Sequence, residues 1–181
     1  MPGGMQQMGT LPFKISVLVF IKDDTGRHLL IRRNKAPNLN CWSPVGGKLE
    51  MPLGESPFEC AIRETKEETQ LCLAPPDLHL FGMVSERGYE GSSHWLMFLF
   101  DCRKPISAIP PAIDEGNFAF FTRNEIDSLS VPPSDRILVW PVYDKHRHSF
   151  LAYRAECHPN HPVRMTIEES QSNFSNNQAA P

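Results

Sequence analysis

The chain has 181 residues, of which 40% are hydrophobic and 22% charged, with a formal net charge of −3 at pH 7. Such values are typical of one globular domain with its own hydrophobic core. The small net charge gives no reason to expect a nucleic-acid partner, and the apolar run "ISVLVF" is too short to cross a membrane, so we expect neither interaction.

The cysteines indicate the cellular compartment of the protein, and the composition of the chain ends indicates the bounds of its folded domain. Five cysteines without a C-x-x-C pair favour reduced thiols, and no signal-like segment is present, so we expect a cytoplasmic protein. Residues 1–10 and 170–181 are rich in Gly, Gln, Asn and Ser and poor in apolar residues. We therefore predict a flexible N-terminus at 1–10, a folded domain at 11–169 and a disordered tail at 170–181.

The predicted elements begin with strands. "FKISVLVFIK" and "RHLLIRR" flank the turn signal "DDTG" and read as a hairpin, and "WSPVGG" reads as a short strand entering a glycine-rich loop. A helix follows in "SPFECAIRETKEET", with Ser56 as N-cap and Pro57 at the first helical position. Its apolar stripe predicts that one face packs against the core.

The second half of the chain predicts more strands and one short helix. "LHLFGMVSER" and "HWLMFLFDCR" are strand-like and joined by "GYEGSS", and "NFAFF" is a further strand. The capping box "TRNE" opens a short helix, and "FLAYRAE" and "PVRMTIEE" form a final hairpin. Strands and helices mixed in this way predict an α/β fold in which helices sandwich a mixed β-sheet.

The predicted helix carries an unusual group of carboxylates. Glu64, Glu67 and Glu68 are spaced i, i+3 and i+4, so their side chains emerge as neighbours, and like charges this close are unfavourable. A divalent cation such as Mg²⁺, or alternatively Mn²⁺, would remove the penalty, because it prefers oxygen ligands. The pair Gly46–Gly47 lets backbone approach such an ion closely, and the arrangement suits hydrolysis of a diphosphate bond.

The segment from Gly46 to Leu71 resembles the Nudix box, G-x5-E-x7-R-E-U-x-E-E-x-G-U, in which U is an apolar residue. Three features depart from it: seven residues rather than five precede the first glutamate, Thr65 takes an apolar place, and Gln70 replaces the last glycine. A left-handed helix end is costly for a residue other than glycine, so we expect the helix to end differently at Gln70. The matching positions are Gly47, Glu55, Arg63, Glu64, Glu67, Glu68 and Leu71.

The resemblance implies the αβα sandwich of Nudix proteins and hydrolysis of a nucleoside diphosphate linked to another moiety. It implies a metal site formed by Glu64, Glu67, Glu68 and the Gly46 carbonyl, with Glu64 alternatively positioning the base. Arg63 and Glu55 would support these carboxylates. A further carboxylate outside the box is expected, with Glu115 as first choice and Glu86 as second. A homodimer is a possible assembly.

The sequence leaves the substrate open. Arg32, Arg33 and Lys48 are candidates to bind its phosphates, and Tyr89 and Trp95 are among the aromatic residues that could contact a base, although aromatic residues in strands usually pack in the core. Oxidised dNTPs, nucleotide sugars and dinucleoside polyphosphates all fit. Two alternatives to this hydrolase stay open as well: a catalytically inactive nucleotide-sensing module, and a hydrolase of a non-nucleotide diphosphate such as an isoprenoid diphosphate.

Overall fold

The structure, a computed structural model, describes residues 10–172. The predictions for residues 1–9 and 173–181 lie outside the described residues. The strands are β1 (Phe13–Phe20), β2 (His28–Arg33), β3 (Trp42–Ser43), β4 (Leu78–Tyr89), β5 (Ser93–Cys102), β6 (Gly116–Phe121), β7 (Phe150–Glu156) and β8 (Arg164–Gln171). The α-helices are α1 (Pro57–Thr69), α2 (Arg123–Ile126) and α3 (Trp140–His146).

The strands form two sheets. The larger is a mixed five-stranded sheet in the order β1-β5-β4-β7-β8, in which β1 runs parallel to β5 and β4 runs parallel to β7. The smaller is an antiparallel three-stranded sheet in the order β3-β2-β6. Residues 45 to 48 join the two, because the amides of Val17 and Val19 in β1 donate to the carbonyls of Gly47 and Val45.

The prediction that the first two strands form a hairpin is wrong, because β1 and β2 pair with each other only around the turn. Lys22 and His28 form an isolated bridge around the turn, but β1 then pairs with β5 while β2 pairs with β3 and β6. Consecutive residues are buried in both strands, so each has apolar side chains on both faces. Such strands need cover on two sides, which an isolated hairpin cannot supply.

Helices cover both faces of the larger sheet, which confirms the predicted α/β sandwich with a mixed sheet. Helix α1 begins as predicted, with Ser56 and Glu59 in a reciprocal capping box and Pro57 in the first turn. It packs beside β1 on a core that includes Val17, Val19 and Phe100. Helix α3 packs on the opposite face, against β4 and β7.

Helix α3 has no counterpart among the elements predicted from the sequence. A π-helical turn at Asp135–Val139 leads directly into α3, and both follow a pair of prolines at 132 and 133. Pro141 directly follows the π-helical turn inside an unbroken helical segment, and an irregular turn of this kind is where a helix tolerates a residue without an N–H. The helix supplies Tyr143, whose ring stacks on Phe20 with 4.5 Å between ring centres.

The end of the folded domain, expected at residue 169, stays a prediction. Strand β8 continues through Gln171, which pairs with Phe150 in β7. Within the part of the chain that the structure describes, no helix combines the length and the apolar character needed to cross a membrane.

The expected alternative ending of α1 is also wrong. Gln70 follows the helix with φ 64° and ψ 4°, a left-handed conformation, and its N–H donates to the Lys66 carbonyl at 2.9 Å. Gln70 therefore adopts a left-handed conformation, which is unfavourable by roughly 1–2 kcal/mol for a residue with a Cβ.

Replacing Gln70 by glycine should therefore stabilise the protein. We expect Gln70→Gly to raise the free energy of unfolding by about 1 kcal/mol, because glycine adopts positive φ freely but loses more entropy on folding. Urea denaturation measures the change. Gln70→Ala keeps the strained Cβ and is the matched control, so an equal gain in both variants would show that backbone strain is not the cause.

Candidate active site

The carboxylates of α1 are organised by one guanidinium. Arg63 Nε and Nη2 donate to the two oxygens of Glu55 at 2.7 and 2.9 Å, a bidentate pair. Its Nη1 donates to Glu64 at 2.8 Å and to Glu67 at 3.1 Å. The Arg63 hydrogen bonds lower the pKa of Glu55 to about 2. Arg63 thus neutralises part of the carboxylate charge and fixes Glu55 and Glu64 relative to each other.

The two extra residues between Gly47 and Glu55 do not disturb this arrangement. They belong to a loop that forms an exposed 3₁₀ turn at Met51–Leu53 and then turns at Gly54, whose φ is 69°. Glu55 closes the loop by accepting a hydrogen bond from the Glu50 amide at 2.8 Å. Insertions in such loops are structurally cheap, which is why the helix carboxylates keep their positions.

The glycine pair brings backbone against the helix carboxylates. A Cβ on Gly47 would lie 2.2 Å from the carboxylate carbon of Glu64, and a Cβ on Gly46 would lie 2.1 Å from the Val17 carbonyl oxygen. A side chain at Gly46 would clash with the backbone, and a side chain at Gly47 would displace the Glu64 carboxylate. Among the described residues, no backbone hydrogen bond uses the Gly46 carbonyl, while the Gly47 carbonyl accepts from Val17. The Gly46 oxygen is available to a ligand.

Glu68 is a buried carboxyl that the protein leaves incompletely paired. The residue is 9% exposed, and its Oε2 atom has no hydrogen-bond partner among the described residues. Burial, and then the nearby charge of Glu64, raise the pKa of Glu68 to about 8, while the Gly46 amide and Arg33 act in the opposite direction. A bare carboxylate here is unfavourable, and a cation beside it would relieve the penalty.

The candidate residues meet at one cavity of about 430 Å³, which is a size typical of small-molecule sites. Arg33 and Lys48 line it together with the α1 carboxylates. Arg32 is exposed, points to the other face of β2 and does not line the cavity, so of the two arginines only Arg33 is placed to reach a substrate there. The predicted metal-binding, catalytic and phosphate-binding residues that line the cavity are Arg33, Gly46, Lys48, Arg63, Glu64, Glu68 and Glu115, and Glu86, the second choice for the further carboxylate, also lines it.

Glu115 and Glu67 are more exposed than the other carboxylates of the candidate site. Glu115, in the loop before β6, is exposed, and its charge adds to the raised pKa of Glu68, which places it on the same side of the cavity. The Glu67 side chain is 60% exposed and is held by Arg63 rather than turned towards Glu68. Between residues 10 and 172, no three His, Cys, Asp or Glu side chains stand close enough together to hold one ion.

The donor atoms nevertheless fit a hard cation. The site offers carboxylate oxygens and one free backbone carbonyl, the ligand types that Mg²⁺ prefers. The unpaired Glu68 oxygen lies among them. Ligation by all three glutamates requires Glu67 to leave Arg63, an exposed ion pair that costs little to break.

Glu86 does not join the helix carboxylates. It lies in β4, it is 2% exposed, and the charge that acts on it is that of Asp135. Asp135 also lines the cavity, but it is not predicted from the sequence, because its spatial neighbour Glu86 lies far away in the chain. The cavity therefore has two acidic ends, one on α1 and one formed by Glu86 and Asp135.

Comparison with known proteins identifies the family. The family model of the NUDIX domain matches residues 12–157. The chain therefore belongs to the Nudix family, as the α1 motif predicted. The match includes every residue that lines the cavity, from Ser16 to Asp135, so it covers the whole candidate site.

The relatives are similar in sequence or in fold. The uncharacterized Nudix hydrolase YvcI of Bacillus subtilis (strain 168) is 31% identical over 100 residues, which are 55% of this chain and 62% of that relative. The match thus spans less than two thirds of the relative's length. Solved structures of the mutator MutT protein from Bacillus halodurans (TM-score 0.66, 23% identity, 86% of this chain and 97% of that one) and of the MutT protein from Methanosarcina mazei Go1 (0.63, 24%, 75% and 95%) share the fold.

Proposed function

We propose that the protein is a Mg²⁺-dependent pyrophosphohydrolase, with Mn²⁺ as an alternative ion. Its substrate would be a nucleoside diphosphate linked to another moiety, and water would add to one phosphorus of the diphosphate bridge. The phosphorus–oxygen bond of the bridge breaks, and two phosphorylated fragments leave. The observation that carries this proposal is the buried, unpaired Glu68 oxygen, which lies near Glu64 in a cavity that Gly46 and Arg33 also line.

Each site residue would have a separate role in the reaction. Glu64, Glu67, Glu68 and the Gly46 carbonyl would hold the ion, which supplies charge neutralisation to the phosphate oxygens and lowers the pKa of water. Arg63 and Glu55 keep Glu64 in place through the bidentate pair. Arg33 and Lys48 offer positive charge to the substrate phosphates from the cavity wall.

Glu115 is proposed to accept the proton of the attacking water, with Glu64 as the alternative base-positioning group. We expect Glu115→Gln to lower turnover by about tenfold or more, because positioned acid–base groups contribute roughly 10²–10⁴. Initial rates at saturating substrate measure this. Asp114→Asn, the neighbouring exposed carboxylate, is the control. A loss smaller than tenfold in Glu115→Gln would remove the residue from the proton transfer.

Product analysis tests the function itself. Wild type and Glu67→Gln are incubated with Mg²⁺ and a panel of dNTPs, oxidised dNTPs, nucleotide sugars, dinucleoside polyphosphates and isoprenoid diphosphates, and the products are separated by ion-exchange chromatography. Cleavage by wild type but not by Glu67→Gln is the expected result. Metal-dependent binding without cleavage would instead establish a nucleotide-sensing module, and cleavage of isoprenoid diphosphates alone would exclude a nucleotide substrate. The homodimer and the cytoplasmic location stay predictions.

A further inference from the structure

Strand β8 is the open edge of the larger sheet. At the opposite edge β1 is covered, because its amides donate to the carbonyls of Gly47 and Val45. Strand β8 pairs with β7 on one side, and within residues 10–172 no other backbone group hydrogen-bonds to it. Alternate N–H and C=O groups of an edge strand point away from its neighbour. The free side of β8 therefore presents a row of backbone donors and acceptors.

The strand buries little within its own chain. All eight of its residues are exposed, among them Met165 at 37% and Ile167 at 58%. Lysine and proline, which often block such edges, are absent from β8. The strand also lies beyond residues 12–157, to which the family model matches. Burial is the main compensation for the entropy of ordering a strand, so β8 has more to gain from a partner than the inner strands have.

The register between β7 and β8 shows which β8 side chains share a face of the sheet. Opposite residues of an antiparallel pair lie on the same face, and alternate residues along one strand share a face. Alternate residues of β7 lie opposite Arg164, Thr166 and Glu169, so these three side chains share one face. The intervening β7 residues place Met165 and Ile167 on the other face. The strand thus has a charged face and an apolar face.

Two charged residues of β8 have no partner in their own chain. Glu168 is the extra residue of a β-bulge between Ile167 and Glu169, and its carboxylate lies 3.9 Å from Arg154 Nη1 in β7. Among the described residues, Arg164 and Glu169 form no ion pair. One basic and one acidic side chain, close to opposite ends of the strand, are therefore available to a partner.

We propose that β8 pairs with β8 of a second copy of this chain, antiparallel and about a two-fold axis at Thr166. In this register Arg164 lies opposite Glu169 of the second copy, and Met165 lies opposite Ile167 of the second copy. Each contact occurs twice, because the same surface is used by both copies. Opposite charges and apolar pairs across antiparallel strands are both favourable. The two larger sheets become one continuous sheet.

The order of charges along β8 favours a second copy over an unrelated extended segment. The basic residue lies at the start of the strand and the unpaired acidic residue near its end. An antiparallel copy supplies the opposite charge at both ends, whereas a parallel copy would bring like charges together. The residues that line the cavity run from Ser16 to Asp135 and include none of β8. The dimer therefore does not depend on the proposed hydrolysis.

Sedimentation velocity over a series of protein concentrations tests the dimer. We expect a species of twice the 20.5 kDa mass of the chain, whose fraction grows with concentration. The series should extend to about 500 μM, because small interfaces are usually weak. Arg164→Glu and Glu169→Arg should each weaken the dimer by about tenfold or more, since each places two pairs of like charges opposite each other.

Mixing the two charge variants tests the register itself. An equimolar mixture of Arg164→Glu and Glu169→Arg should form a heterodimer, because each chain then supplies the charge that the other needs at both ends. The double variant Arg164→Glu/Glu169→Arg should dimerise as wild type does. Asp24→Arg reverses an exposed charge in the turn that follows β1, at the other edge of the sheet, and is the matched control that should dimerise normally. Circular dichroism checks that each variant is folded.

Three results would overturn the inference. A wild-type protein that stays monomeric up to about 500 μM would show that β8 does not bind a second copy. A wild-type dimer that both single variants retain at full strength would lie on another surface. Folded single variants that remain monomeric when mixed would rule out the pairing of Arg164 with Glu169.

Discussion

Glu68→Gln should lower turnover by roughly 10³-fold while the protein remains folded. The carboxyl is 9% exposed, and one of its oxygens has no partner among the described residues, so in the proposed site it is the best-shielded ligand to the ion. Metal ions contribute several kcal/mol of transition-state charge stabilisation, and about 1.4 kcal/mol corresponds to tenfold in rate. Loss of one buried ligand accounts for a substantial part of that contribution.

The same substitution should leave stability unchanged or higher. A buried carboxyl with a raised pKa opposes folding when it ionises, and glutamine removes that ionisation while keeping the shape. We therefore expect thermal melting without metal to occur at or above the wild-type Tm. Added Mg²⁺ should raise the Tm of wild type but not that of Glu68→Gln, because only a ligand that binds the native state stabilises it.

Two comparisons make this result decisive. Glu67→Gln should also lose activity but, because Glu67 is exposed, should leave the metal-free Tm within error of wild type. Glu168→Gln should change neither property. Wild-type rates in Glu68→Gln, or an undiminished Mg²⁺ effect on its Tm, would remove Glu68 from the metal site.

The parts of the site that the sequence predicted are those fixed by local geometry. Helical spacing alone places Glu64, Glu67 and Glu68 on neighbouring positions, and Ser56 with Pro57 sets where the helix begins. The Arg63 contacts with Glu64 and Glu67 also lie within about one helical turn. For these residues, the sequence predicts position because the intervening chain has a single regular conformation.

The parts of the site and of the fold that the sequence did not predict depend on contacts between residues that lie far apart in the chain. Glu86 and Asp135 are 49 positions apart and meet only because β4 and the turn before α3 pack together. The separation of β1 and β2 into two sheets likewise follows from burial on both strand faces rather than from the turn between them. Gln70 shows the reverse failure, since the chain adopts a locally unfavourable backbone conformation there and Leu71 then packs against the same core as α1.

Arg63 holds the site together and is also part of the fold. Its guanidinium contacts Glu55, Glu64 and Glu67, and Nη2 also donates to the Lys48 carbonyl at 3.2 Å. The Arg63 side chain is 23% exposed and that of Glu55 is 10% exposed, so their bidentate pair is largely shielded from water. Removing one partner from such a pair leaves the other charge buried and uncompensated.

Arg63→Met should therefore reduce the free energy of unfolding by roughly 3–5 kcal/mol. Urea denaturation at pH 7 measures the loss. The double variant Arg63→Met/Glu55→Gln should recover at least half of it, because the uncompensated carboxylate is gone. Arg87→Met breaks an exposed ion pair with Glu156 and should cost less than about 1 kcal/mol. Equal losses in Arg63→Met and the double variant would show that packing, not charge, explains the effect.

The pH dependence of the free energy of unfolding provides an independent test of the contact between Arg63 and Glu55. Arg63 lowers the pKa of Glu55 from 4.5 to about 2 in the folded protein. As the pH falls, Glu55 is therefore protonated first in the unfolded chain. The contribution of ionised Glu55 to stability is fully present above about pH 4.5 and is lost as the pH falls towards 2. We expect the stability advantage of wild type over Glu55→Gln to shrink over that range. No such loss on acidification is expected when Arg63→Met is compared with the double variant, because neither contains the Arg63–Glu55 contact. A difference that stays constant from pH 5 to pH 2.5 would mean that Arg63 does not hold Glu55 in its ionised form.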